Sequence, residues 1–220
     1  MPPAPTQRPS GRFSSRAALR VCDIVFAGAG LLLLWPLLAV VALACWLDTR
    51  SPLLRQQRVG RWGRPFVLVK FRTMLPQTAH VASHLADASA ITPWGRLLRR
   101  TKLDELPQLW NVLRGDMSLV GPRPCLPSQS ELIAARQALG VLDAPPGITG
   151  LAQTSGIDMS TPVLLAQTDA RMLQDLTVRR YFGYLLKTAT GVGAGDAVKP
   201  PGHPPDTGKL PAGPDPGTRP

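Results

Sequence analysis

The stretch that decides the fold is "IVFAGAGLLLLWPLLAVVALACWL", residues 24–47, because none of its side chains is charged. As a helix rising about 1.5 Å per residue it would be about 36 Å long, which exceeds the roughly 30 Å hydrocarbon core of a bilayer. A buried helix in a water-soluble domain fits less well, since a domain of this size seldom encloses so long an uncharged run. The stretch therefore predicts a membrane-embedded helix within residues 17–50.

Two features of this segment favour a re-entrant helix over a simple span. Pro36 lies at its centre, where a missing N–H and a ring clash kink or break a helix. Both flanks are also basic, with Arg8, Arg12, Arg16 and Arg20 before the segment and Arg50, Arg55, Arg58, Arg61 and Arg64 after it. The positive-inside rule keeps such flanks on the cytoplasmic face, and a helix that bends at Pro36 satisfies it. A straight span stays open, since neighbouring helices can satisfy the freed backbone groups.

Length and charge limit the remaining possibilities. The chain of 220 residues can form one domain of ordinary size with appendages. Its formal charge of +11 favours anionic partners, but the absence of a zinc-finger or RRM signature argues against nucleic acid. The composition of residues 1–16 and 191–220, rich in Pro with Ser, Arg or Gly, predicts disordered ends around a structured region at 17–190.

Downstream of the apolar segment, two short patterns predict regular structure. The run ending in "KFRTM" predicts a strand over residues 66–71, which leads into the cations Lys70 and Arg72. In "TPWGRLLRR", Thr92 is the expected N-cap of a helix. The apolar side chains Trp94, Leu97 and Leu98 share one face of that helix, which fits either a membrane surface or a protein core.

The stretch "TKLDELPQLWNVLRGDMSLVGPRP", residues 101–124, contains adjacent acids, Asp104 and Glu105, close to several arginines. Pro107 is expected to push Leu106 out of the α region and to begin a helix that ends before Gly115. The acids would then precede a helix N-terminus, which favours anions.

These acids have two interpretations. Asp104 could complete a capping pattern with Thr101 while Glu105 pairs with an arginine, as many helix-end acids do. Alternatively, a carboxylate held among cations can act as a nucleophile or metal ligand at a phosphate group, while its neighbour handles protons. Spacing alone does not choose between them.

Five ordered pieces together resemble one family. They are Arg20 with Asp23, the apolar segment with Pro36, "KFRTM", "LDELPQLWNVLRGDMSLVGPRP" and "PGITGLAQ". The chain is similar over about residues 17–190 to the bacterial sugar transferases, the small monotopic polyprenol-phosphate phosphoglycosyl transferases. The resemblance implies a mixed α/β, mostly helical fold with a re-entrant helix broken at Pro36, interfacial amphipathic helices and a small β element. Residues 51–190 would form the catalytic part on the cytoplasmic face of the bacterial inner membrane.

The resemblance also implies an activity and its residues. The enzyme would transfer sugar 1-phosphate from a UDP-sugar to polyprenol (undecaprenyl) phosphate, which starts envelope polysaccharide assembly ahead of downstream glycosyltransferases. Asp104 would be the nucleophile beside Glu105, with Mg²⁺ bound at Asp104. The implied phosphate-binding cations are Lys70, Arg72, Arg99 and Arg123.

The sequence departs from the family pattern at one position. Many members follow "PGITG" with a Gly-Arg pair, whereas Gly156 is followed here by Ile157. Arg171 or Arg179 is a candidate replacement for that arginine, and the donor sugar stays open. The alternative function is a non-catalytic, membrane-anchored scaffold of a polysaccharide assembly complex, whose basic face would bind anionic lipid.

Overall fold

The computed structural model describes residues 11–76 and 88–190, which form a mostly helical fold with two small sheets. The helices are α1 (Gly11–Thr49), α2 (Pro93–Thr101), α3 (Gln108–Arg114), α4 (Ser130–Ala138), α5 (Leu151–Thr154), α6 (Pro162–Gln174) and α7 (Val178–Ala189). The strands are β1 (Leu53–Val59), β2 (Pro65–Phe71), β3 (Ser118–Val120) and β4 (Gly147–Thr149). The predicted mixed, mostly helical class with a small β element is confirmed.

Helix α1 is long and apolar enough to cross a membrane. It runs without interruption through Pro36, so the predicted break at Pro36 is not confirmed. A proline removes one hydrogen bond from a helix, and packing on both sides of it can hold the helix together. The helix begins at Gly11, inside the segment 1–16 that was predicted to be disordered. Residues 1–10 and the second predicted disordered segment, 191–220, lie outside the described residues.

Both halves of α1 pack against the rest of the protein. Before Pro36, Ala27 is buried in a core cluster with Val112 and Val120. After Pro36, Val41 and Cys45 belong to a cluster with residues of β2 and α2. The opposite side of α1 exposes large apolar side chains, including Leu32, Leu33, Trp35, Val40, Leu43 and Leu47. An exposed apolar surface of this size is typical of a membrane or protein contact.

Polar contacts fix the first part of α1 to the fold. The buried Asp23 carboxylate accepts hydrogen bonds from Ser118 Oγ (3.0 Å), Leu119 N (2.9 Å) and Tyr181 Oη (2.8 Å). Arg20 donates to the carbonyls of the last turn of α3, at 2.7 and 3.0 Å. A buried carboxylate is tolerated when it is hydrogen-bonded in this way. These two residues therefore anchor α1 to β3, α3 and α7.

Strands β1 and β2 form an antiparallel hairpin with Arg58 opposite Phe66 and Leu54 opposite Lys70. The predicted strand over 66–71 is confirmed, but its partner β1 was not predicted. Side chains alternate between the two faces of a strand. The buried face of the hairpin therefore collects Gln56, Arg58, Leu68 and Lys70.

Strands β3 and β4 are parallel and bring two distant motifs together. Ser118 lies opposite Gly147, and Val120 lies opposite Thr149. A Cβ atom on Gly147 would clash with the backbone of Gly121, so the approach requires glycine. As a result, the turn "GPRP", residues 121–124, lies beside the loop "PPGITG", residues 145–150.

Candidate functional site

Helix α2 directly precedes the turn that contains the acidic pair. Thr92 Oγ1 accepts a hydrogen bond from Gly95 N at 2.9 Å, which confirms the predicted N-cap. The helix ends at Thr101, and the left-handed backbone of the next residue, Lys102 (φ 57°), reverses the chain. Of the apolar side chains, Trp94 and Leu98 pack towards α1, whereas Leu97 is exposed. One face of α2 thus joins the core, and Leu97 lies outside it.

The acids lie in a 3₁₀ turn, Leu103–Glu105, that leads almost directly into α3. The prediction that Leu106 leaves the α region is wrong, because its φ and ψ are −55° and −37°. A hydrogen bond from Leu106 N to Leu103 O holds it there despite the proline that follows. Helix α3 begins at Gln108, one residue later than predicted, and its predicted end at Gly115 (φ 87°) is confirmed.

The capping interpretation of Asp104 is also wrong. Thr101 lies in the last turn of α2, and its hydroxyl donates to Leu97 O (2.9 Å) and Leu98 O (3.1 Å). A Thr hydroxyl that bonds back to its own helix is a common local alternative to a cap. The other half of that interpretation holds, because Glu105 does pair with an arginine.

That arginine is Arg123, whose Nη2 lies 2.9 Å from Glu105 Oε1. The pair opens onto a small pocket between the β1–β2 hairpin, the acidic turn and the "GPRP" turn. The pocket is lined by Arg58, Leu68, Lys70, Glu105, Gln108, Arg123, Pro124, Gly147 and Ile148. Three cations and one carboxylate therefore line this pocket, and guanidinium groups are donors that pair well with oxygen anions.

The other predicted site residues do not line this pocket. Asp104 is 2% exposed, and its turn packs against α2 and β2. Arg99 Nε donates to Thr73 Oγ1 at 2.8 Å. Arg72 Nε donates to Ser51 O at 3.2 Å, at the start of β1. The pocket thus brings together Lys70, Glu105 and Arg123 of the predicted set.

Two polar side chains of the pocket, Arg58 and Gln108, were not singled out as site residues in the sequence. Arg58 is nearly buried, and its guanidinium donates to Pro124 O (3.0 Å) and to Gln56 Oε1 (2.6 Å). Gln108, in the first turn of α3, is also buried. The spacing of Gln56 and Arg58 in "RQQRVG" is a strand alternation that could have marked β1 and placed Arg58 on the face of Lys70.

The position that departs from the family pattern is apolar in its surroundings. Ile157 packs against the buried cluster formed by Cys125, Leu132 and Ala152 with residues of α6. The candidate replacements, Arg171 and Arg179, are exposed and do not line the pocket. Arg58 is the additional cation that the structure provides at the pocket itself.

The acidic pair could hold a divalent cation together with a substrate. No group of three or more His, Cys, Asp or Glu side chains with metal-binding geometry occurs in residues 11–76 and 88–190. Mg²⁺, however, is usually bound by only one or two carboxylates together with substrate phosphates. Asp104 and Glu105 match that number of carboxylates, and of the two only Glu105 lines the pocket.

These features define a class of protein: a small mixed fold built along one long apolar helix, with a cation-lined pocket beside an acidic pair. The chain belongs to the bacterial sugar transferase family, whose model matches residues 14–195. This match confirms the family resemblance found in the sequence.

Several proteins similar to this chain are named for sugar-phosphate transfer or for exopolysaccharide production. A UDP-glucose:undecaprenyl-phosphate glucose-1-phosphate transferase of Caulobacter vibrioides is 43% identical over 69% of this chain and 60% of the relative. An undecaprenyl-phosphate galactose phosphotransferase of Salmonella typhimurium is 36% identical over 80% of this chain and 40% of the relative. The exopolysaccharide production protein ExoY of Rhizobium meliloti is 36% identical over 84% of this chain and 88% of the relative. The chain thus spans less than two thirds of the first two relatives.

Proposed function

We propose that this chain transfers sugar 1-phosphate from a UDP-sugar to polyprenol phosphate, through a covalent intermediate on Asp104. The observation that carries the proposal is the pocket in which Arg58, Lys70 and Arg123 face Glu105, the neighbour of Asp104 in one tight turn. The names of the relatives, which include UDP-glucose and undecaprenyl phosphate, support the same pair of substrates.

In the first step, a carboxylate oxygen of Asp104 attacks the phosphorus that carries the sugar. The bond between this phosphorus and the bridging oxygen breaks, and UMP leaves with the electron pair. Asp104 then carries the sugar phosphate as an acyl phosphate. The burial of Asp104 supports this role, because a site that excludes water protects such an intermediate from hydrolysis.

In the second step, a phosphate oxygen of the polyprenol phosphate attacks the same phosphorus. The bond to Asp104 breaks, the carboxylate is regenerated, and polyprenyl diphosphate sugar leaves. Glu105 would accept a proton from the incoming phosphate when that phosphate is singly ionised. A two-step route suits substrates of which one is soluble and the other is confined to lipid.

The cations counter the repulsion between a carboxylate and a diphosphate. Arg123 presents a planar guanidinium that can bind two phosphate oxygens. In this structure its Nη2 donates a hydrogen bond to Glu105 Oε1. Lys70 adds a compact charge from the buried face of the hairpin. Charges fixed in place before the reaction stabilise the transition state without reorganisation. Mg²⁺ held by Asp104 and Glu105 would add a further positive charge at the diphosphate.

We also propose that α1 enters and leaves the membrane by its cytoplasmic face. Residues on both sides of Pro36 pack against the same catalytic part, as Ala27 and Cys45 illustrate. A straight span would carry one of these contacts across the bilayer, together with buried polar groups such as Asp23. The exposed apolar side of α1 would lie in the lipid of the inner leaflet, and the pocket would lie at the headgroup level.

The topology predicts the labelling of cysteines placed on either side of α1. Ser10→Cys and Arg64→Cys are each introduced after Cys22, Cys45 and Cys125 have been replaced by alanine. In intact cells both should resist a membrane-impermeant maleimide, and in inverted membrane vesicles both should react. A periplasmic cysteine protein serves as the control. Labelling of Ser10→Cys alone in intact cells would establish a straight span and overturn the re-entrant proposal.

The function itself is tested by UMP release. Purified protein in detergent is incubated with polyprenol phosphate, Mg²⁺ and each of a panel of UDP-sugars, and UMP is quantified. Acceptor-dependent release with at least one donor is the expected result, and it also identifies the donor sugar. A protein that binds to the membrane but releases UMP from no donor would favour the scaffold alternative.

A further inference from the structure

Every backbone carbonyl of the turn that carries Arg123, residues 121–124, accepts a hydrogen bond. Two of these contacts come from buried arginines on other elements, Arg58 and Arg136. The acceptors, with their donors, are Gly121 O (Gln153 Nε2, 3.4 Å), Pro122 O (Gly147 N, 2.8 Å), Arg123 O (Arg136 Nη1, 2.8 Å) and Pro124 O (Arg58 Nη1, 3.0 Å). The backbone beneath the Arg123 side chain is therefore fixed from several directions.

Arg136 is in turn fixed by an acid on a third element. Its Nε and Nη2 lie 3.0 and 2.7 Å from Asp169 Oδ2, so that α4 is joined to α6. Arg136 is 2% exposed and Asp169 is 0% exposed. The planar guanidinium thus uses two nitrogens for Asp169 and the third for Arg123 O.

Stability alone is a poor explanation for this ion pair. Burying two charges costs several kcal/mol, and apolar residues of similar volume often give equal or greater stability. The pair is also incompletely satisfied, because no described residue donates a hydrogen bond to Asp169 Oδ1. Burial raises the pKa of Asp169 to about 6, although Arg136 opposes the shift. The carboxylate accepts hydrogen bonds from two nitrogens of Arg136 and so orients the guanidinium.

We propose that Arg136 and Asp169 are positioning residues, which act through the Arg123 carbonyl to place the Arg123 guanidinium against the donor diphosphate. The proposal rests on the proposed function for its effect on catalysis. Neither residue lines the pocket, and neither was singled out in the sequence. Because Arg136 donates a hydrogen bond to Arg123 O, a displaced Arg136 would shift the turn that carries Arg123.

A double-mutant cycle tests this role. Asp169→Asn keeps the size of the side chain but removes the charge that holds Arg136. We expect its kcat/KM for the UDP-sugar to fall about tenfold to a hundredfold, because a small misplacement of a binding group can lower the rate by such a factor. In an Arg123→Ala background the same substitution should change kcat/KM less than about twofold, because the group that it positions is already absent.

A structural role without positioning predicts a different result. If Asp169→Asn lowered activity by loosening the whole fold, it would lower it by the same factor in both backgrounds, and that outcome would overturn the proposal. An unchanged kcat/KM in Asp169→Asn would overturn it as well. Asp175→Asn is the matched control, since Asp175 forms a half-exposed ion pair with Arg180 (2.8 Å) away from the pocket.

Hydrogen exchange supplies a readout that does not depend on activity. In Asp169→Asn, peptides covering residues 121–126 should exchange faster than in the wild-type protein, while peptides of α2 should not change. If wild-type protein released no UMP, the proposed function would fail, but this measurement would still decide the positioning role. Unchanged exchange at residues 121–126 would refute it.

Discussion

Asp104→Asn is expected to abolish UMP release from the UDP-sugar, with a loss of at least about a thousandfold, as removal of a covalent nucleophile commonly produces. Asn has nearly the same shape as Asp, which matters because the side chain is buried and a smaller residue would leave a cavity. The substitution removes the negative oxygen that attacks phosphorus. It leaves Glu105, Lys70 and Arg123 in place.

The measurement has two parts. UMP release is followed with donor and acceptor together, and intact-protein mass spectrometry follows the enzyme with donor alone. Wild-type protein should gain the mass of one sugar phosphate, and Asp104→Asn should gain none. Asp143→Asn, an exposed acid outside the pocket, is the control and should behave as wild type. Asp104→Asn protein with near-normal UMP release would show that Asp104 is not the nucleophile.

The sequence predicted features that depend on local chemistry. The N-cap at Thr92, the stop at Gly115 and the strand that carries Lys70 all follow from residues within a few positions of each other. The long apolar run likewise predicted α1. Such features depend on backbone hydrogen bonding and side-chain periodicity, which a single stretch of chain contains.

The sequence and the structure differ at two prolines. Leu106 stays helical before Pro107 because a local hydrogen bond from Leu106 N to Leu103 O closes its turn, and the predicted break at Pro36 is not confirmed, since α1 continues while its two halves pack on the core. The backbone preferences around proline describe an isolated stretch of chain, and hydrogen bonds and packing in the folded protein can outweigh them. The positions of both residues therefore required the folded structure.

The candidate site was predictable in its chemistry but not in its geometry. The acids and cations could be selected by type, yet their grouping depends on contacts between distant parts of the chain. Arg58 contacts the "GPRP" turn 66 residues away in the sequence, and Arg136 contacts Asp169 33 residues away. Strand alternation could have placed Arg58 on the face of Lys70, but no local pattern indicates the distant partners of Arg58 and Arg136, which only the fold brings together.

Removal of divalent cations is expected to abolish UMP release as completely as Asp104→Asn does. The donor diphosphate must approach two adjacent carboxylates, and one of the cations nearby, Arg123, is already paired with Glu105 at 2.9 Å. The protein's own positive charge at the pocket is therefore partly neutralised, and repulsion between carboxylates and phosphates remains. Mg²⁺ bound by Asp104 and Glu105 would offset it.

The experiment compares UMP release in EDTA with release after addition of excess MgCl₂, which should restore it fully. Thermal unfolding with and without EDTA is the control, and it should not change, because the described residues contain no cluster of three metal-ligating side chains that would form a structural site. Ca²⁺ should restore less activity, since it is larger and prefers more ligands than a dyad and a diphosphate supply. Full UMP release in EDTA would instead mean that Arg58, Lys70 and Arg123 alone balance the charge, with Glu105 displaced from Arg123 by the donor.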